Sequence, residues 1–207
     1  MSDLALVYNL NWGYKMKHFA WLFWMVIFFA ACEEVEVLQP VPITYKLIFD
    51  IHLSPDERSF DETVIFSSSE ILSAIEDHLG EQFSMEDIQT IHVEGLAYTL
   101  LETDLSLSVV NGFFQAAYGN DSLKTLIELK DVVLGEILEE RQVMELQEEG
   151  VMLLKEALTD ILNHNARGDI LIHARGETFQ PLRRMKILLE ITLTPVVKQT
   201  IEVPRVL

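Results

Sequence analysis

Ile43-Thr44-Tyr45-Lys46-Leu47-Ile48-Phe49-Asp50-Ile51-His52 alternates apolar and polar residues almost without a break. Ile43, Tyr45, Leu47, Phe49 and Ile51 share one face, and apart from Ile48 the other face is polar, which is the period of a half-buried strand. Gln39-Pro40-Val41-Pro42 leads into it as extended chain, because each proline biases its preceding neighbour away from helix. Ser54-Pro55-Asp56-Glu57 carries turn residues and closes it.

Downstream the period changes. Ser67, Ser68 and Ser69 offer an N-cap before Glu70, and Ile71, Leu72, Ile75 and Leu79 recur at helical spacing as far as Gly80. Ile91 to Leu101 returns to an extended pattern, with Gly95 marking a bulge. Asn111-Gly112 lies between Leu105 to Val110 and Phe113 to Tyr118, and Asn-Gly between alternating runs predicts a hairpin. A two-residue turn would set Val109 opposite Phe114; one long strand with a glycine bulge is the competing reading. Gly119-Asn120-Asp121-Ser122 reads as a turn and Leu126 to Leu134 as a strand. Leu146, Leu153, Leu154, Ala157, Leu158, Ile161 and Leu162 then make one broad apolar side of a second helix, which ends within Asn163 to Gly168. Ile170 to Ala174 and Met185 to Leu193 read as strands, Pro195 as an interruption, and Val196 to Val203 as a short edge strand. Together these segments predict an α+β class: a single sheet-rich domain over 43–203, sandwich-like or an open antiparallel sheet, with two amphipathic helices packed on one face or end.

Ahead of the domain, thirteen apolar residues from Phe19 to Ala31 follow Met16-Lys17-His18 and end in Ala30-Ala31-Cys32, where Cys32 is the only cysteine of the chain. Thirteen are too few to span a bilayer, which takes about 20. Ten of them are large and apolar all round, unlike an amphipathic surface helix. A charged start, an apolar centre and small residues before a cleavage point compose a secretory signal peptide. Phe29-Ala30-Ala31-Cys32 resembles the lipobox of bacterial lipoproteins, with Phe29 where leucine is usual. That resemblance implies a signal peptide over 16–31, cleavage before Cys32 and lipid on Cys32, hence a membrane anchor in the cell envelope, at the outer membrane on its periplasmic or surface side. Met1 to Lys15 lacks a signal's character, so Met16 reads as the start and 1–15 as an upstream extension. Residues 32–42 become an acidic, lipid-anchored tether, and Glu33-Glu34-Val35-Glu36 within it resembles the surface-export signal of some bacterial lipoproteins, or is simply a solvated charge run.

Taking away residues 1–31 leaves 176 residues with 13 Lys+Arg against 32 Asp+Glu, a formal charge of −19 where the whole chain has −18. That length buries roughly 70% of its unfolded surface in one domain without help from disulfides. Such a charge disfavours nucleic acid, whose binding rests on Lys and Arg neutralising phosphates. A single cysteine makes no internal bridge.

No His-Glu-x-x-His helix, Gly-x-Ser-x-Gly elbow or phosphate-binding glycine loop occurs in the chain. Asp50 with His52, and His92 with Glu94, share strand faces and are the available carboxylate–imidazole pairs, although alternation alone puts polar residues on a solvent face. Asp50, Asp56, Glu57, Asp61 and Glu62 crowd one region but lack the glycine and ligand spacing of a calcium loop. Asp121-Ser122-Leu123 resembles a three-residue O-glycosylation motif of bacterial envelope proteins, and reads equally as an ordinary turn. No catalytic, metal or cofactor residue is assigned. The sequence therefore predicts a lipid-anchored envelope protein with a non-enzymatic binding or structural role and an envelope protein as possible partner. The alternatives are a carrier of an apolar ligand under the Leu146 to Leu162 helix, and an envelope hydrolase or metal-dependent enzyme.

Overall fold

A computed structural model describes residues 32–80, 83–104 and 107–204. Among these residues the order of elements is β1 (Cys32–Pro40), β2 (Ile43–His52), β3 (Ser59–Phe66), α1 (Ser68–Leu79), β4 (Ile88–Thr103), β5 (Val109–Tyr118), β6 (Lys124–Val133), β7 (Arg141–Met144), α2 (Glu148–Leu162), β8 (Ile170–Thr178) and β9 (Arg184–Pro204). The α+β expectation holds, with two antiparallel sheets and two helices. The described chain falls into two compact units, residues 38–198, and residues 32–37 together with 199–204. In the smaller unit β1, within the segment read as a tether, lies beside the end of β9.

In the larger unit one sheet has β2 and β4 on either side of β9, with β7 beyond β4; the other has the order β3-β8-β5-β6. Strand β2 is the alternating stretch read from the sequence, paired residue for residue with β9 from Ile43↔Leu193 to His52↔Arg184. Ile43, Leu47, Phe49 and Ile51 are buried and their neighbours face out. The second sheet supplies the opposing layer. Phe114 of β5 meets Phe49 of β2 edge to face at 5.5 Å between ring centres and Tyr98 of β4 at 6.2 Å. Tyr45 and Phe66 meet at 4.4 Å. Each fully buried ring of this kind stabilises by roughly 1.5–3 kcal/mol relative to exposure.

Both helices form where the spacing places them. Ser67 caps α1, its hydroxyl accepting from the Glu70 amide at 3.3 Å, and Ile71, Ile75 and Leu79 are the buried stripe. On α2, Leu153, Leu154, Ala157, Leu158 and Ile161 are buried, facing β4, β5 and β6. Gly150 brings the α2 backbone against β6, where a Cβ would collide with the Thr125 carbonyl oxygen and come within 2.8 Å of Leu126 Cδ2.

Asn111-Gly112 is not a turn. Neither residue has positive φ, which a type I′ turn requires of both. The chain runs straight through as β5, and the irregularity lies across the ladder in β6, where Val110 pairs with Val132 but Gly112 with Leu129. The extra residue includes Asp131, at φ 50. The Asn111 side-chain amide bonds Asp131 twice, its oxygen accepting from the bulged backbone N–H and its nitrogen donating to the carboxylate. Gly112 is needed for a different reason. It pairs with Gly176 of β8, and a Cβ on it would lie 2.5 Å from the Arg175 carbonyl oxygen.

Pro195 does not interrupt its strand, and β9 continues from Arg184 to Pro204. In a strand the N–H and C=O of one residue point to the same neighbour. The Pro195 carbonyl accepts from Val41 N at 2.9 Å, so its missing donor faces the Val41-Pro42 gap between β1 and β2, where no ladder runs. Gly95 does mark a bulge in β4, since the register slips between Val93 and Gly95. Strands β3 and β7 add to the segments read from the sequence. Both are outer strands of their sheets, and Glu62 occupies an inward register position of β3 that breaks its apolar pattern, a common defence of an exposed edge.

Candidate functional site

On the second sheet the alternation that buries Phe60, Ile172, Ala174, Phe114 and Leu129 turns a set of polar residues outward. Two rows cross the strands on that face. One is Asp61–Arg175–Phe113–Glu128 and the next is Thr63–His173–Gln115–Thr125. Arg175 Nε pairs with Asp61 at 3.1 Å, Lys130 with Glu128 at 2.9 Å, and His173 Nδ1 contacts Thr63 Oγ1 at 2.9 Å. A groove of about 660 Å³ lies along the first row, with Asn111, Phe113, Arg175, Glu128, Lys130 and Glu177 among its walls and only Gln115 from the second. Phe113 is 41% exposed there, an aromatic ring standing in a field of planar polar groups.

His173, Asp61 and Thr63 resemble a relay only by composition, because carboxylate (3.6 Å) and hydroxyl approach the same nitrogen, Nδ1. A base that passes a proton from a nucleophile needs them on opposite nitrogens.

The carboxylate–imidazole pairs of the sequence do not converge. Asp50 and His52 sit opposite Lys186 and Arg184, whereas His92 sits opposite Thr194. The run from Lys186 to Thr194 spans roughly 26 Å at strand rise. Glu94 belongs to the Gly95 bulge, out of step with His92. Both Asp50 oxygens accept from the Arg184 guanidinium at 3.2 Å, and His52 Nε2 lies 3.2 Å from Oδ1. The Arg184 hydrogen bond, more than its charge or that of His52, holds the Asp50 carboxyl below the ordinary aspartate value. A lowered pKa stabilises the fold above the unfolded value and ceases to as pH falls through the folded one. The melting temperature of Asp50→Asn is therefore expected to fall less than that of the wild type as pH drops below about 4; parallel curves contradict the pairing.

Among the crowded acids, Asp61 serves Arg175, and Glu57 accepts from the Ser54 amide at 2.9 Å within its own turn. Among the described residues no group of three His, Cys, Asp or Glu is arranged to hold a metal ion. Asp121-Ser122-Leu123 follows the Gly119-Asn120 turn with Ser122 exposed. Asp121 lies 3.5 Å from Arg167, which also meets Glu156 and Asp160 of α2 and stacks 4.7 Å over Tyr118. Cys32 is in β1, with its side chain outside the described residues, as are the signal segment 16–31 and residues 1–15. Among the described residues no helix is long and apolar enough to cross a membrane.

Phe113 and Arg175 were not singled out in the sequence. The hairpin reading already set Phe113 on the polar face, opposite Val110, as an exception to the pattern; the straight strand keeps Phe113 outward and gives it Arg175 and Glu128 as neighbours instead. No protein-family model matches this chain, and no curated protein matches it.

Proposed function

We propose that the chain is a lipid-anchored protein of the cell envelope, attached to the outer membrane through Cys32, whose domain has a non-enzymatic binding role toward an envelope partner. One observation carries the anchor: the lone cysteine directly follows Ala30-Ala31 at the end of a thirteen-residue apolar run with a charged start. One acyl chain binds a membrane only marginally and stable anchoring takes a second signal. In the lipoproteins this segment resembles, several chains on the one residue meet that need without a basic patch. The groove over Phe113 supports binding as the domain's role.

Cells fed labelled palmitate are expected to label the wild type and not Cys32→Ser. Equal labelling of both removes the anchor. A carrier of an apolar ligand has less support, because the apolar side of α2 lies against the sheet at backbone distance from β6. An envelope hydrolase or metal-dependent enzyme has less again, with Asp50 committed to Arg184 and far from His92.

A further inference from the structure

Phe113 has an aromatic companion. Beyond the end of β8, Phe179 continues the ladder by donating its N–H to the Val109 carbonyl at 3.0 Å. Thr178 before it is buried and inward, so Phe179 faces out with Phe113, and it is 61% exposed. Arg175 is the residue paired with Phe113, and Phe179 lies four residues further along the same strand, roughly 13 Å at strand rise. Between the rings stand Glu177 and its partner Asn111, flanked by Arg175 and Glu128.

We propose that this strip, from Phe179 to Phe113, is a platform for a neutral oligosaccharide chain, a reading that deepens the binding role given above. Sugar rings present an apolar C–H face to an aromatic ring and a rim of hydroxyls to planar donors and acceptors, and the strip offers both in alternation: ring, amide and carboxylate, guanidinium, ring. Its charge is close to even, Arg175 and Lys130 against Glu128, Glu177 and the Asp61 beside Arg175, on a chain whose net charge is −18. Two of those groups already pair with each other and a third pairs with Asp61. A polyanion is repelled by the rest of the molecule, and an anionic group finds both cations of the strip already matched, Lys130 to Glu128 and Arg175 to Asp61. A peptide is the other neutral occupant. A peptide adding as a strand would need a free edge, but β8 and β5 are the two interior strands of their sheet, with ladders on both sides. A proline-rich peptide lying on the rings is the competing occupant that the NMR experiment separates. Hydroxyls need only side chains.

Saturation-transfer NMR on the full chain in a detergent without a sugar headgroup tests the platform with cellohexaose, xylohexaose, mannohexaose and chitohexaose. Transfer to at least one of the four is expected, with affinity reduced about tenfold in each of Phe113→Ala and Phe179→Ala and retained in Phe113→Trp. Both phenylalanines are exposed, so the alanine variants keep the wild-type melting temperature. Transfer to none of the four overturns the platform, as does binding unchanged in both alanine variants, or binding of a proline-rich decapeptide in their place. Palmitate labelling reads the anchor separately, so either reading can fail while the other stands.

Discussion

Replacing Phe114 with alanine is expected to cost about 3–5 kcal/mol, while Phe113→Ala costs under about 0.5. The two residues are adjacent in sequence and opposite in face. Phe114 is 1% exposed and packs against Phe49 and Tyr98, which belong to the other sheet. Removing its ring empties the contact that joins the two layers, and the surroundings relax only in part. For a domain of this size the melting midpoint falls by roughly 10 °C. Thermal unfolding followed by circular dichroism reads both variants. Equal losses at 113 and 114 contradict the register of β5.

Gly150→Ala gives the second large effect, and its sign is the informative part. Near the start of an exposed helix, alanine in place of glycine stabilises by up to about 1 kcal/mol. Here the added methyl meets the Thr125 carbonyl and both the side chain and Cα of Leu126, so α2 must lift from β6. Leu126 is itself the extra residue of a second bulge in β6, and its carbonyl accepts from the Gln147 amide that opens the helix at 2.8 Å. Overpacking at such a site costs about 1–3 kcal/mol. A net loss of about 1–2 kcal/mol is expected, against little change for Gly95→Ala, where nothing lies within 4 Å. A stabilised Gly150→Ala protein contradicts the close helix–sheet approach.

Much of the fold was legible because local pattern and tertiary need coincide. In β2 Ile43, Leu47, Phe49 and Ile51 are buried and Tyr45 between them is half-buried, so the two-residue period survives. In α1 the cap, the stripe Ile71-Ile75-Leu79 and Gly80 all agree. The misreadings occur where one residue type serves two purposes. Asn111-Gly112 is hairpin chemistry by composition, but here the asparagine satisfies a bulge on the neighbouring strand and the glycine permits close pairing with Gly176. Pro195 ends a strand only if its missing N–H faces a partner, and the partner it faces is itself broken at Pro42. Strand β3 was hidden because Asp61 and Glu62 made it look like an acidic loop. Local sequence does not show that Asp61 pairs with Arg175 across the sheet.

The candidate site was less legible than the fold. Its walls come from β3, β5, β6 and β8, and their meeting is set by register. His52 and Asp50, adjacent on one strand, were easy to notice and turned out to serve an arginine 134 residues away. Phe113 and Phe179 come together only after β5 is known to run straight and β8 to continue past Thr178.

The intact mass of the protein extracted from cell membranes tests the proposed anchor most directly. The expected species begins at Cys32 and carries the added mass of its acyl groups. A species that retains the residues before Cys32 and has an unmodified thiol contradicts it.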